Sequence, residues 1–216
     1  MAFVNQSKPA GLSPVKYLNG ANWNSQVSMY AIAASDANAF YPGDLVKATG
    51  AGDAATGLQV ITLGTAGAAA CGVLVAVGLG NSSPAGAGGP YINYNDLSKT
   101  YRPASSVAVY YAAVVDDPNV IFEIQEGGTG TNFAAASVGL NANIIYTAPA
   151  TGVYVSGMQV DDTAAAAVTA TLNLRLYSLK QSIDNHFVTS PATGGGAQKW
   201  WVLIQNHQYL SRPVAP

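Results

Sequence analysis

The sequence predicts an all-β protein: a β-barrel, or a jelly roll or sandwich of short antiparallel strands, with an extended N-terminal arm. Three observations predict it. Short runs rich in Val, Ile, Leu, Tyr and Phe recur along the chain, each closed by Gly, Pro, Asn or Asp. No stretch keeps a helical period of 3.6 over three turns. Clean alternation occurs at 169–179, where Leu172, Leu174 and Leu176 point one way and Thr171, Asn173, Arg175 and Tyr177 the other.

Residues 1–26 read as the arm, because Pro9, Gly11, Pro14, Asn19 and Gly20 break any helix and no alternation lasts long enough for a central strand. The arm carries Val15, Tyr17, Leu18 and Trp23, apolar groups that pack on their own domain or on a neighbour. Strands are predicted at 27–33, 45–48, 58–63 and 71–78, with a Tyr41-Pro42-Gly43-Asp44 turn in type II order. The run from Cys71 to Gly78 is apolar throughout, as suits a strand buried on both faces. Residues 81–90 read as a loop and 91–103 as an irregular or edge segment.

The stretch SVAVYYAAVVDDPNVIFEIQE, residues 106–126, is predicted as a central β-hairpin. Pro118 presets the second position of a type I turn, with Asp117 before it and Asn119 after it. Loops are expected at 127–132 and 194–196, and further strands at 141–146, 153–160, 169–179 and 199–209. The division is an arm at 1–26 and a β domain at 27–216. A composition shift near Ser105 fits two β modules splitting there, or one barrel with a long loop at 81–103.

Charged residues make up only 9% of the 216-residue chain and apolar residues 49%. Ordinary globular chains carry roughly 25% charged residues. A surface so poor in charge suggests either extensive cover by other protein subunits or a neutral, Gly- and Ala-rich surface on a monomer. The net charge is −2 and the Lys and Arg residues stand singly, so no phosphate-binding footprint is present and no nucleic-acid partner is expected. The longest apolar piece, 66–80, is broken by glycines and falls short of the roughly 20 residues of a spanning helix, so no membrane partner is expected. The N-terminus has no basic stretch followed by an apolar run, the pattern of a secretory signal. The single cysteine, Cys71, lies among apolar residues and reads as a buried thiol.

Candidate chemistry is sparse. His186 and His207 lack the spacing of a metal motif. Glu123 and Glu126 stand on one strand, three apart, and point to opposite faces. The pairs Asp116-Asp117 and Asp161-Asp162 suit turns, with a loop-built calcium site as the other reading. No nucleophile elbow or phosphate loop occurs, so no catalytic residue, cofactor or enzyme activity is expected. The adjacent pairs Tyr110-Tyr111 and Trp200-Trp201 each place one ring on either side of a strand. The outward ring is an interface anchor, a sugar platform or part of a second buried face.

The phrases SPVKYLNGANWN, DDPNVIFEIQEGG, VGLNANII and WVLIQNHQY, in that order between Leu12 and Tyr209, resemble a family of tailed-bacteriophage capsid decoration, or cement, proteins. The resemblance implies β-barrel or jelly-roll subunits on the outer surface of the phage head. They would self-associate as dimers or trimers and strap neighbouring major capsid proteins together. It brings no catalytic residues and no cofactor. Residues 1–26 and the outward faces of the aromatic strands are then the expected contacts: Val15, Tyr17, Leu18, Trp23, Tyr110, Tyr111, Trp200 and Trp201. A tail or fibre module that binds carbohydrate is the alternative, since it too is all-β with exposed aromatic rings.

Overall fold

The computed structural model describes residues 5, 7–81, 89–92, 100–106, 108–127, 130, 132–187 and 197–211. The expected all-β architecture is present. Among the described residues there are strands and a single short 3-10 turn, and no helix long and apolar enough to cross a membrane.

The strands form two main sheets. β1 (Ser13–Tyr17) begins one of them. The other takes the next six strands: β2 (Ser28–Ile32), β3 (Leu45–Gly52), β4 (Gln59–Leu63), β5 (Gly72–Asn81), β6 (Gly89–Ile92) and β7 (Tyr110–Val115). Its order is β3-β4-β2-β7-β5-β6, and β3 also pairs with β5, which closes five strands into a barrel. The closing seam is short, Leu45 opposite Val73 and Val46 opposite Gly72. Glycine is required there: a Cβ on Gly72 would stand 2.4 Å from the Val115 carbonyl oxygen. Tyr30, Ile32, Phe40, Ile61, Leu74 and Val114 fill the barrel.

Arg102 plugs it. The side chain is fully buried and donates to the carbonyls of Ala33 (2.9 Å) and Asp36 (2.8 Å), with Asn38 at 2.5 Å. Its guanidinium lies 5.6 Å from the Phe40 ring centroid and 5.9 Å from that of Tyr110. A cation is tolerated here because fixed carbonyl dipoles and ring faces replace its water.

After β7 the chain makes the expected turn. The Val120 amide donates to the Asp117 carbonyl (3.2 Å) and the Asn119 amide to the Asp117 carboxylate (2.8 Å). The expected hairpin is not there. β8 (Val120–Gln125) pairs with β1 and with a later strand, not with β7. A turn with proline at its second position splays its flanking strands, whereas two-residue hairpins use the mirror-image turns. Residues 116–119 are a corner that carries the chain from barrel to open sheet.

The rest of the chain supplies β9 (Asn141–Ala142), β10 (Ile144–Tyr146), β11 (Met158–Val160), β12 (Leu174–Leu179), β13 (Lys199–Ile204), β14 (Asn206–His207) and β15 (Leu210–Ser211). The open sheet runs β1-β8-β13-β12-β9, all antiparallel, beside a β10-β11 pair and a β14-β15 pair. Its inner face packs Phe122, Ile124, Leu176, Trp200 and Val202 against Leu45, Val73 and Val115 of the barrel wall, so one core spans both sheets. The change of sheet falls at 116–119 rather than near residue 105, and β1 belongs with the later strands.

The stretch read as an arm holds an edge strand. Leu12 is buried in the main core, and β1 lies along β8. Its outer edge is taken up locally, since the Tyr17 amide donates to Ala21 (2.8 Å) and the Trp23 amide to Val15 (3.2 Å). The described part of the arm therefore packs on its own domain. The predicted strand at 141–146 divides at Asn143, with β9 in the open sheet and β10 paired to β11. The loop at 194–196, residues 82–88 and 93–99 of the segment 81–103, and residues 128, 129 and 131 of the loop at 127–132 lie outside the described residues.

Candidate functional site

A surface of tyrosine and valine forms where barrel and open sheet meet. It begins at the Tyr41–Asp44 turn, which has the expected form. The Asp44 amide donates to the Tyr41 carbonyl (3.0 Å), and Gly43 sits at φ +96°, where type II turns need glycine. The Asp44 carboxylate accepts the Tyr41 amide at 2.8 Å and is fully buried. Burial pushes this carboxyl up to about 6 against that hydrogen bond. The turn ties three segments together: Leu12 donates to the Gly43 carbonyl (2.9 Å), and Ser156 to that of Pro42 (3.0 Å).

These ties bring up a stack of three rings. Tyr41 lies 5.2 Å from Tyr101 and nearly parallel to it, and Tyr101 lies 4.8 Å from Tyr154. Offset stacking of this kind favours one fixed arrangement of three otherwise mobile side chains. Val153, Tyr154 and Val155 are 43%, 49% and 41% exposed, three consecutive large apolar side chains at the surface. The sequence predicted a strand across them, but the strand begins only at Met158. Beside them runs a groove of about 450 Å³ whose walls include Lys8, Pro9, Pro149, Val153 and Val155.

The residues expected from the sequence to make contacts are scattered. Leu18 is exposed and Tyr17 half-buried, and both line a second groove, of about 420 Å³, beside the Asp117–Asn119 corner. Val15 is half-buried on the edge strand, and Trp23 packs half-buried against the main core. Tyr110 and Tyr111 are both buried. Tyr110 points into the barrel and Tyr111 into a small cluster on its outer side, so neither offers an outward ring. Trp200 is fully buried; its Nε1 donates to the Glu126 carboxylate at 3.3 Å, and its ring meets Phe133 and Phe187 edge-on. Trp201 is half-buried on the opposite face of the sheet, with the Lys16 ammonium 4.2 Å from its ring centroid. These placements remove Tyr110, Tyr111 and Trp200 from the contact residues. The sequence missed Val153–Val155 because alternating valines look the same in a strand and in an exposed loop.

The carboxylates serve turns and loops. Asp116 accepts the Tyr30 hydroxyl (2.9 Å), and Asp161 accepts the amide (3.0 Å) and hydroxyl (2.6 Å) of Thr163. Asp162 is buried and accepts the Gly130 amide at 3.2 Å. Among the described residues no group of three or more His, Cys, Asp or Glu side chains could hold a metal ion. Glu123 pairs with Lys180 at 2.9 Å on the outer face of the sheet. Glu126 is fully buried, and its carboxylate takes the Phe133 amide at 2.6 Å. Burial raises the Glu126 carboxyl to about 7, with nearby Asp162 adding to the rise. His207 accepts the Tyr209 amide (3.1 Å), and a ring nitrogen of His186 meets the Ile183 carbonyl (2.8 Å). Burial pushes the Cys71 thiol up to about 12 and keeps it un-ionised.

No family model, curated protein or solved structure matches this chain.

Proposed function

We propose that this protein is a structural virion component, a capsid decoration protein that sits on the outer surface of a phage head and bridges major capsid protein subunits. The observation that carries the reading is the run Val153-Tyr154-Val155, exposed beside a fixed tyrosine stack and continuous with a proline-walled groove. Contiguous exposed apolar surface of this sort marks a protein contact more often than a bare monomer surface. The low charge of the chain and the order of its motifs support the same reading. Binding of this kind stabilises a shell because it favours the assembled state over the dissociated one.

The test is decoration of purified heads of the parent particle that lack this protein. Wild type is expected to bind to saturation, and Tyr154→Ala with Val155→Asp to lose occupancy at least tenfold. Full occupancy by that variant, or no binding by wild type, sinks the proposal. The alternative, a tail or fibre module that reads carbohydrate through the exposed Tyr154 ring, predicts retention on a glycan column that Tyr154→Ala abolishes.

A further inference from the structure

Two turns meet where β1 ends. In the first, residues 17–21, the Gly20 amide donates to the Tyr17 carbonyl (2.9 Å) and the Tyr17 amide to the Ala21 carbonyl (2.8 Å). The second is the corner at 116–119. The Leu18 amide donates to the Asn119 carbonyl at 2.8 Å and locks the two together. Between them lies the groove of about 420 Å³, lined by Tyr17, Leu18, Asn19, Asp117 and Asn119. That volume falls in the range of small-molecule sites. The groove shares no lining residue with the one beside Val153 and Val155.

Each polar side chain of this groove is partly held and partly free. The Asn19 Oδ1 accepts the Ala21 amide (3.0 Å), which leaves its Nδ2 to donate. Asp117 spends one oxygen on the Asn119 amide (2.8 Å) and keeps the other to accept. The exposed side-chain amide of Asn119 bonds to nothing among the described residues. Groups fixed by their own backbone lose little freedom when a ligand binds. The apolar part of the lining is Tyr17 and Leu18. Tyr17 packs against the main core, and its hydroxyl donates to the Asn24 Oδ1 at 2.8 Å, which sets the ring.

The lining selects among ligand classes. An anion finds no cation there, since the neighbouring Lys16 ammonium lies over the Trp201 ring, and Asp117 repels it. A hard metal ion asks for roughly six or more oxygen ligands, several of them charged, and the lining offers one carboxylate. A purely apolar ligand would strip water from three polar side chains and replace none of it. A neutral, hydroxyl-rich ring meets both halves of the groove. Its hydroxyls both donate and accept, as Asn19, Asp117 and Asn119 require, and its C–H face covers Tyr17 and Leu18.

We propose that this groove is a binding site for a neutral saccharide, with one sugar ring against Tyr17 and Leu18 and neighbouring hydroxyls held by Asn19, Asp117 and Asn119. The site is built from the two turns alone and does not rest on the capsid reading. It also differs from a sugar platform at Tyr154, because that ring stands beside the other groove.

The test uses the full chain in solution, isotope-labelled for NMR and titrated with maltose, lactose, cellobiose and chitobiose, with sialyllactose as the charged probe. At least one neutral disaccharide is expected to bind in the millimolar range. It is expected to shift the amide signals of Leu18, Asn19 and Asn119, including the side-chain amide of Asn119. Sialyllactose is expected to bind more weakly than lactose. Two variants accompany wild type. Asn119→Ala removes a side chain that supports nothing else in the fold. Asp117→Asn keeps the oxygen that the Asn119 amide uses and puts a donor in place of the free acceptor. Each is expected to weaken binding at least fivefold, the loss of one or two hydrogen bonds. The proposal is overturned if no neutral probe shifts these signals, if either folded variant binds like wild type, or if sialyllactose binds most tightly. Binding that is lost in Tyr154→Ala and kept in Asn119→Ala would place the sugar on the other surface and overturn it as well.

Discussion

The barrel and the open sheet solve the same problem in different ways. The barrel removes its edges by closing β3 on β5, and it fills its lumen with aliphatic side chains, the aromatic rings of Tyr30, Phe40 and Tyr110, and one buried arginine. The open sheet keeps two edges and covers them. Residues 21–23 turn back along β1, and β9 is only two residues long. Its interior rests on Trp200, whose ring and indole nitrogen reach Phe133, Phe187 and Glu126 from other segments. The difference teaches where each half is vulnerable. A closed ring depends on the fit of its seam, whereas an open sheet depends on the bulk of its largest core residue.

The first way to break the comparison is Trp200→Ala. Emptying a buried tryptophan site is expected to cost about 3–5 kcal/mol, read by denaturant unfolding. All three tryptophans, Trp23, Trp200 and Trp201, belong to the open-sheet region. Fluorescence therefore reports that sheet, while circular dichroism reports both. Because Leu45, Val73 and Val115 of the barrel wall share the core of the open sheet, the two signals are expected to coincide in wild type. Separate transitions would show that the halves unfold independently.

Next in size is acidity, which sharpens the comparison. Glu126 in the open sheet sits at about 7 and Asp44 at the junction at about 6, both raised mainly by burial. A raised carboxyl binds its proton more tightly in the folded state. Its stabilisation is fully present below the ordinary carboxyl range and is lost as pH rises through these values. Melting temperature is expected to fall between pH 5 and pH 8. Glu126→Gln is expected to flatten most of that fall, a share of about 3 kcal/mol. An unchanged slope in that variant would assign the effect elsewhere.

Gly72→Ala tests the seam. The added Cβ meets backbone at 2.4 Å, and overpacking of this kind costs about 1–3 kcal/mol. A melt equal to wild type would show that the ring opens without cost. The smallest effect is expected at Tyr154→Ala, within about 0.5 kcal/mol of wild type in stability, since the side chain is half exposed. A large loss would make the tyrosine stack a part of the frame rather than a contact surface.

The sequence showed local features well. The strands around Tyr30, Ile61, Leu74 and Val202 lie where the apolar runs put them, and both proline turns have the expected donors and acceptors. The pattern at 172–176 also held for Leu174 and Leu176. A register shift before Ser178 then turned Leu179 inward, which alternation alone does not foresee. Arg102 was invisible, because its partners are carbonyls more than 60 residues away and its neighbours Tyr101 and Pro103 form no motif. Trp200 and Trp201 are equivalent in sequence, and the sheet's packing decided which of them meets the core.

The chain by itself determined that it is β throughout, where most strands and turns lie, and that its charges are few. Those properties reside in side-chain period, turn chemistry and composition, each readable within a few residues. Only the tertiary structure decided which strands pair, that residues 116–119 change sheets, that β3 meets β5, and which aromatic rings remain at the surface. Pairing joins residues far apart in sequence, and a strand that is apolar on both sides carries no local mark of which neighbour it will take.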